Sequence, residues 1–220
     1  MAGNLVLLSG GMDSTTVLYM ARSKSYEPIK AISFDYGSKH NQREQRAAKL
    51  ISSALDIEHT VIPLDVIANH FRSDLLKTGG DIPEGHYADP SMKRTVVPFR
   101  NGIMLSIAAG LAESWDLSSI WIANHFGDHA IYPDCRESFI EPMRKAIVQG
   151  TYAGIQLISP FSKMSKTDIA SIGHELGVPW EHTYSCYNGG EIHCGKCGTC
   201  YERKEAFRES GVLDPTVYEV

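Results

Sequence analysis

Ser9-Gly10-Gly11-Met12-Asp13-Ser14-Thr15-Thr16 stands between the apolar run Leu5-Val6-Leu7-Leu8 and a helical-looking stretch over residues 17–21. Apolar run, glycine turn and helix start, in that order, describe a β-strand that feeds a helix through a phosphate-gripping loop. Glycines let the backbone approach an anion closely, serine and threonine add hydroxyl donors, and a helix N-terminus presents unpaired N–H groups with a partial positive charge. The loop has no lysine after its second glycine and no G-x-G-x-x-G spacing, so it is neither of the two commonest nucleotide loops. Leu8 and the loop through Thr16 are the candidate ATP contacts.

The same alternation continues outward from the loop. Residues 5–8, 29–34, 58–62 and 119–123 predict short, mostly apolar strands, and residues 15–22, 42–55 and 100–115 predict helices. Such βα alternation implies a doubly wound, mostly parallel sheet covered on both faces, with ligands beyond the carboxyl ends of the strands. Asp35-Tyr36-Gly37 ends the second strand and is a natural dock for an adenosine. Residues 78–93, rich in Gly, Pro, Asp and His, predict a long loop. Repeats, low-complexity tracts and interdomain linkers are absent from the sequence, so residues 1–220 are expected to form one domain.

Composition narrows the class of function. With 220 residues, 43% of them hydrophobic, the chain can bury a sizeable core. Its formal charge of −5 leaves no basic footprint for a nucleic-acid backbone, which favours a small-molecule substrate. The sequence has no apolar window near the ~18 residues of a membrane span and no basic N-terminal leader, so a cytoplasmic protein is expected.

Four of the five cysteines lie close together. Cys186, Cys194, Cys197 and Cys200 follow the pattern C-x7-C-x2-C-x2-C, with Gly195 and Gly198 allowing tight turns between them. Thiolates at this density match a closed tetrahedral Zn²⁺ site, a structural staple for a polar segment over about 184–204. An iron–sulfur centre is the rival, although the ferredoxin ending x3-C-P is missing after Cys200. Cys135 stands apart, in Tyr132-Pro133-Asp134-Cys135-Arg136.

Polar residues gather at other expected strand and helix ends. His125, Asp128 and His129 follow the 119–123 strand, and with Tyr132, Asp134 and Arg136 they form a set suited to a heterocyclic base. An aspartate can accept from a guanine-like amidine edge while an aromatic ring stacks. Metal binding by His125 and His129 is disfavoured, because the intervening Gly127 argues against a helix there. Val97-Pro98-Phe99-Arg100-Asn101 puts Arg100 and Asn101 at a second helix N-terminus. In the segment from Pro160 to Ile169, Ser165 or Thr167 can cap a helix, and Lys163 or Lys166 can neutralise a polyphosphate.

The S-G-G-x-D-S loop resembles that of the PP-loop ATP pyrophosphatases, which cleave ATP between its α- and β-phosphates. Taken with Asp35-Tyr36-Gly37, Val97 to Asn101, Tyr132 to Arg136, Lys163 to Ile169 and the four-cysteine tail, the resemblance narrows to the 7-cyano-7-deazaguanine synthase family over almost the whole chain. It implies two ATP-dependent activations that convert 7-carboxy-7-deazaguanine and ammonia first to an amide and then to a nitrile. It implies catalytic roles for Asp13, Arg100 and Lys163, with Asp13 also a candidate for Mg²⁺. No covalent nucleophile is needed, so Cys135 is expected to be dispensable. A homodimer is implied, with ammonia free or supplied by a partner protein. A ligase that stops at the amide and a tRNA-modifying enzyme are the alternatives.

Overall fold

All four expected strands form in the computed structural model, which describes residues 2–24, 28–86 and 89–220. They are β1 (Asn4–Leu7), β2 (Ile29–Asp35), β3 (Glu58–Pro63) and β4 (Ser119–Trp121), and β5 (Gln156–Ile158) completes the sheet. The order is β3-β2-β1-β4-β5, and every pairing is parallel. From β1 the chain winds outward through β2 and β3, then returns to lay β4 against the other side of β1. The strand order therefore reverses between β1 and β4, which opens a crevice beyond their carboxyl ends.

Alternation along the strands decides which helices cover which face. Leu5, Ile32 and Ile120 share a core with α3 (Asp65–His70), α4 (Arg100–Ser114) and α5 (Glu137–Gly150). Val6, Leu8, Ala31 and Trp121 point the opposite way, into a core with α1 (Met12–Lys24), α2 (Asn41–Ala54) and α6 (Lys166–Glu175). Both faces are covered, as parallel strands require. A last helix, α7 (Gly198–Ser210), begins inside the cysteine cluster and packs on α6.

Local chemistry explains the ends that matter here. Ser165 caps α6: its Oγ accepts the Asp168 N–H at 3.1 Å, and Asp168 Oδ2 accepts the Ser165 N–H at 2.8 Å, a reciprocal capping box. Thr167, the other candidate cap, lies within the helix and donates to Glu209 of α7 at 3.1 Å. The 78–93 segment carries no strand among its described residues, but Glu84 bridges to Cys197, and residues 87 and 88 lie outside the described residues. One expectation is corrected. Despite Gly127, residues Phe126–Ala130 form a short 3₁₀ helix, because the His125 ring accepts the Gly127 N–H at 3.1 Å and Asp128 accepts the His125 N–H at 3.2 Å.

Candidate active site

The loop after β1 is held open by its own side chains. Ser14 Oγ accepts the Ser9 N–H at 3.1 Å and lies 3.0 Å from Ser9 Oγ, which in turn accepts the Gly11 N–H at 3.2 Å. Gly10 has φ +85°, and a Cβ there would lie 2.5 Å from the Glu44 carbonyl oxygen, so only glycine lets the loop press against α2. The Tyr184 N–H donates to the Gly10 carbonyl at 2.9 Å, which pins the C-terminal segment to the loop.

Within the crevice lies a cavity that collects residues from the ends of β1, β2 and β4, from α2, α4 and α6, and from the C-terminal segment. Leu8, Ser9, Gly11, Met12, Asp13 and Ser14 line it from the loop. Tyr36, Arg100, Asn101, Asp128 and Tyr132, all expected site residues, line it from elsewhere. Gly10 backs the loop instead. Thr15 and Thr16 are fully buried, Thr16 donating to the Met12 carbonyl at 2.8 Å. Asp35 Oδ1 accepts the Gly37 N–H at 3.2 Å and shapes the turn after β2, outside the cavity lining.

The two candidate lysines have different positions. Lys163 is 78% exposed and faces Glu137 at 3.5 Å, away from the cavity. Lys166, the first residue of α6, lines the cavity, 3.1 Å from Asp13 Oδ2 and 2.7 Å from Glu202 Oε2. Burial alone would push the Lys166 ammonium toward the neutral form, but the carboxylates of Asp13, Glu202 and Asp128 more than offset it and hold its pKa well above the ordinary range. A fixed positive charge therefore stands beside the anion loop. Asp13 Oδ1 is buried and has no hydrogen-bond partner among the described residues.

His125 is enclosed rather than facing the cavity. Its Nδ1 accepts the Gly127 N–H, so the ring proton sits on Nε2, which faces Asp128 at 3.5 Å, Glu202 at 3.8 Å and Asp13 at 3.9 Å. Asp134 also departs from the expected role: its Oδ2 accepts the Asn101 N–H at 2.8 Å and so caps α4, outside the lining. Arg136 is exposed and donates to the His129 carbonyl at 2.8 Å. Cys135 does line the cavity, but burial pushes its thiol pKa well above the usual value, away from a nucleophilic thiolate.

The opposite wall is aromatic and polar. Arg100 donates to the Tyr36 hydroxyl at 3.1 Å, Tyr132 and Tyr187 hydroxyls meet at 3.1 Å, and the His40 ring stacks on Tyr187 with centroids 5.2 Å apart. Glu44, from the first turn of α2, faces this group. Sequence reasoning passed over Glu44 and Glu202 because each lies in an uninterrupted polar run on its helix, with no local signal that it turns inward. Tyr187 did carry a signal, as the neighbour of Cys186.

The four clustered cysteines are buried, and their Sγ atoms lie within 4.8 Å of one another. Cys197 and Cys200 sulfurs are 3.5 Å apart, and those of Cys194 and Cys200 are 3.9 Å apart, close to the ~3.8 Å edge of a tetrahedron with 2.3 Å Zn–S bonds. The Cys194 N–H donates to Cys186 Sγ at 3.4 Å and the Cys197 N–H to Cys194 Sγ at 3.3 Å. Hydrogen bonds from the Cys186 and Cys200 thiols hold Cys197 well below the usual thiol range. Gly195, at φ +74°, makes the turn between the ligands. The donor set fits a metal ion.

Residues 3–211 match the family model described as queuosine biosynthesis protein QueC. A Porphyromonas gingivalis protein called 7-cyano-7-deazaguanine synthase is 58% identical over 98% of this chain and 97% of its own length. Relatives of the same name from Desulfotalea psychrophila, 47% identical over 100% of both chains, and Methanoregula boonei, 46% identical over 98% of both, are similar end to end. Among solved structures, the U34-tRNA thiolase NcsA from Methanococcus maripaludis, with its 4Fe-4S cluster, aligns with a TM-score of 0.54 at 16% identity, covering 100% of this chain and 78% of that one. At that identity the likeness is one of fold.

Proposed function

Since the chain belongs to the family of queuosine biosynthesis protein QueC, we propose that it converts 7-carboxy-7-deazaguanine and ammonia to 7-cyano-7-deazaguanine, with two ATP cleaved to AMP and pyrophosphate. The observation that carries this reading is one cavity that joins the glycine loop after β1 and the buried Lys166 to a wall of Tyr36, Tyr132 and Tyr187.

A carboxylate resists attack by ammonia because its own charge repels the lone pair and no good leaving group is present. Attack of the carboxylate oxygen on the α-phosphorus of ATP expels pyrophosphate and turns that oxygen into a leaving group. Ammonia then displaces AMP, losing a proton, to give the amide. A second ATP activates the amide oxygen in the same way, and loss of AMP with two N–H protons leaves the nitrile. Each activation builds negative charge on departing pyrophosphate, so donors fixed in advance are the main source of rate.

The N–H groups and hydroxyls of residues 9–14 take the pyrophosphate, and Lys166 supplies the positive charge that the resemblance implies for Lys163. Arg100, which donates to the Tyr36 hydroxyl and lines the cavity, adds positive charge for the transition state. Asp13, through its unpartnered Oδ1, would hold the Mg²⁺ that accompanies ATP, an ion that adds further charge neutralisation. Tyr36 and its neighbours contact the adenosine, while Asn101, Asp128 and Tyr132 surround the base.

Cys186, Cys194, Cys197 and Cys200 would hold a structural Zn²⁺, which cross-links the segment and takes no part in the chemistry. In this reading the enzyme is a single-domain cytoplasmic homodimer acting on a free base, not on nucleic acid. No helix among the described residues is long and apolar enough to cross a membrane.

Mass spectrometry of zinc-replete protein given 7-carboxy-7-deazaguanine, Mg-ATP and ammonium tests the proposal. The expected result is nitrile with about two AMP per product, as the two activations require. Amide with one AMP would remove the second step, and no AMP would overturn the reading as a whole.

A further inference from the structure

Among the described residues, three carboxyl groups line the cavity, and two of them are engaged. Asp13 pairs with Lys166, and Asp128 accepts the His125 N–H and faces the His125 ring. Glu44 differs. No hydrogen bond to its carboxyl occurs among the described residues, and His40 Nε2 lies 3.6 Å away. Burial pushes this carboxyl up to about 8 and the Arg100 charge pulls it down, so a ligand that donates to both oxygens favours the ionised form. The side chain keeps 19% of its surface open on the cavity side, so its two oxygens are free to meet a ligand there.

The walls around Glu44 define what that ligand looks like. Tyr187, stacked on His40, presents a ring surface, Arg100 adds a planar cation, and Tyr132 closes the group. Flat rings with a polar edge fit such a chamber. On 7-carboxy-7-deazaguanine, the edge remote from the carboxylate is an amidine, with the ring N1–H and the exocyclic 2-amino N–H pointing the same way. Two parallel donors match the two oxygens of one carboxylate. Of the two aspartates in the set expected from sequence, Asp134 is occupied in capping α4 and Asp128 accepts the His125 N–H.

We propose that Glu44 is the specificity-determining residue for the base, its two oxygens accepting the N1–H and the 2-amino N–H of a 2-amino-4-oxopyrrolopyrimidine. The assignment rests on the function proposed above and adds to it the edge by which the base is read. A site built to accept a substrate N–H rejects the analogue that lacks it, because the buried acceptor is then left unpaired.

The test compares 7-carboxy-7-deazaguanine with the analogue lacking the 2-amino group, using zinc-replete protein with Mg-ATP and ammonium, and reads kcat/KM for each base and KM for ATP. The parent is expected to prefer the amino-bearing base by ~10²-fold or more, and Glu44→Gln to reduce that preference below ~10-fold with the KM for ATP unchanged. Glu44→Asp, which retains the carboxylate, is expected to keep most of the preference and serves if the glutamine variant does not fold. A parent that ignores the 2-amino group, a Glu44→Gln variant with intact preference, or an effect confined to the KM for ATP would each overturn the assignment. If the parent turns over neither base and releases no AMP, the proposed function falls and the Glu44 assignment falls with it.

Discussion

Lys163 and Lys166 are three positions apart, yet of the two Lys166 alone lines the cavity. Lys163 extends into solvent beside Glu137, where a single ion pair contributes ~0–1 kcal/mol. Lys166 opens α6 and is directed back toward the β1 loop, where Asp13 and Glu202 fix its ammonium. Lys166→Ala is expected to lower kcat/KM for ATP by ~10²–10³-fold, and Lys163→Ala to change it by less than about twofold. Steady-state assays on the two variants check this, with thermal melts alongside, because removing Lys166 also leaves two largely buried carboxylates unpaired. Equal losses in both variants would return the role to the exposed lysine.

The β1 loop, α1 and α2 form a unit in which two adjacent glycines carry different constraints. Gly10 has a positive φ and lies so close to α2 that a methyl group would meet the Glu44 carbonyl oxygen and the Ala48 nitrogen, the latter at 2.7 Å. At Gly11 the nearest atom to a Cβ would be Ser9 Oγ at 3.3 Å, a tight contact that a small shift of the serine hydroxyl relieves. Gly10→Ala is therefore expected to cost roughly 2–5 kcal/mol of stability, from backbone strain plus overpacking. Gly11→Ala is expected to stay within ~1 kcal/mol of the parent in urea denaturation while binding ATP more weakly, since its methyl group adds bulk where the backbone must approach an anion. Similar stability losses in both variants would contradict this division between packing and binding.

Across the whole molecule, the cysteine segment does more than tie down the C-terminus. Tyr184, Ser185, Tyr187 and Thr199 line the cavity, and Glu202, two residues past Cys200, reaches Lys166 at 2.7 Å. With the Tyr184 bond to Gly10, the segment forms one wall of the site and holds its lysine in place. Removing the metal by chelation is thus expected to lower the melting temperature and to weaken ATP binding by ~10-fold or more together, because metal, fold and ligand are thermodynamically linked. Calorimetric titration of ATP into metal-stripped and reconstituted protein checks this. Undiminished ATP affinity in stripped, folded protein would reduce the segment to a staple.

Short-range patterns account for what could be read directly from the residues. The 5–8 run and the glycine turn predict a strand and loop because period and turn chemistry act within a few residues, and the cysteine spacing predicts a ligand set for the same reason. Parallel βα winding followed from the alternation of such elements, and β1 to β4 lie within two residues of their expected ends. The sheet order, and with it the crevice between β1 and β4, depends on pairings between strands over a hundred residues apart. Which lysine enters the site, that Asp134 caps α4, and that Glu44 and Glu202 turn inward were all decided there. Those roles are set by which partner topology brings within 3–4 Å of a side chain, and no local pattern encodes that distance.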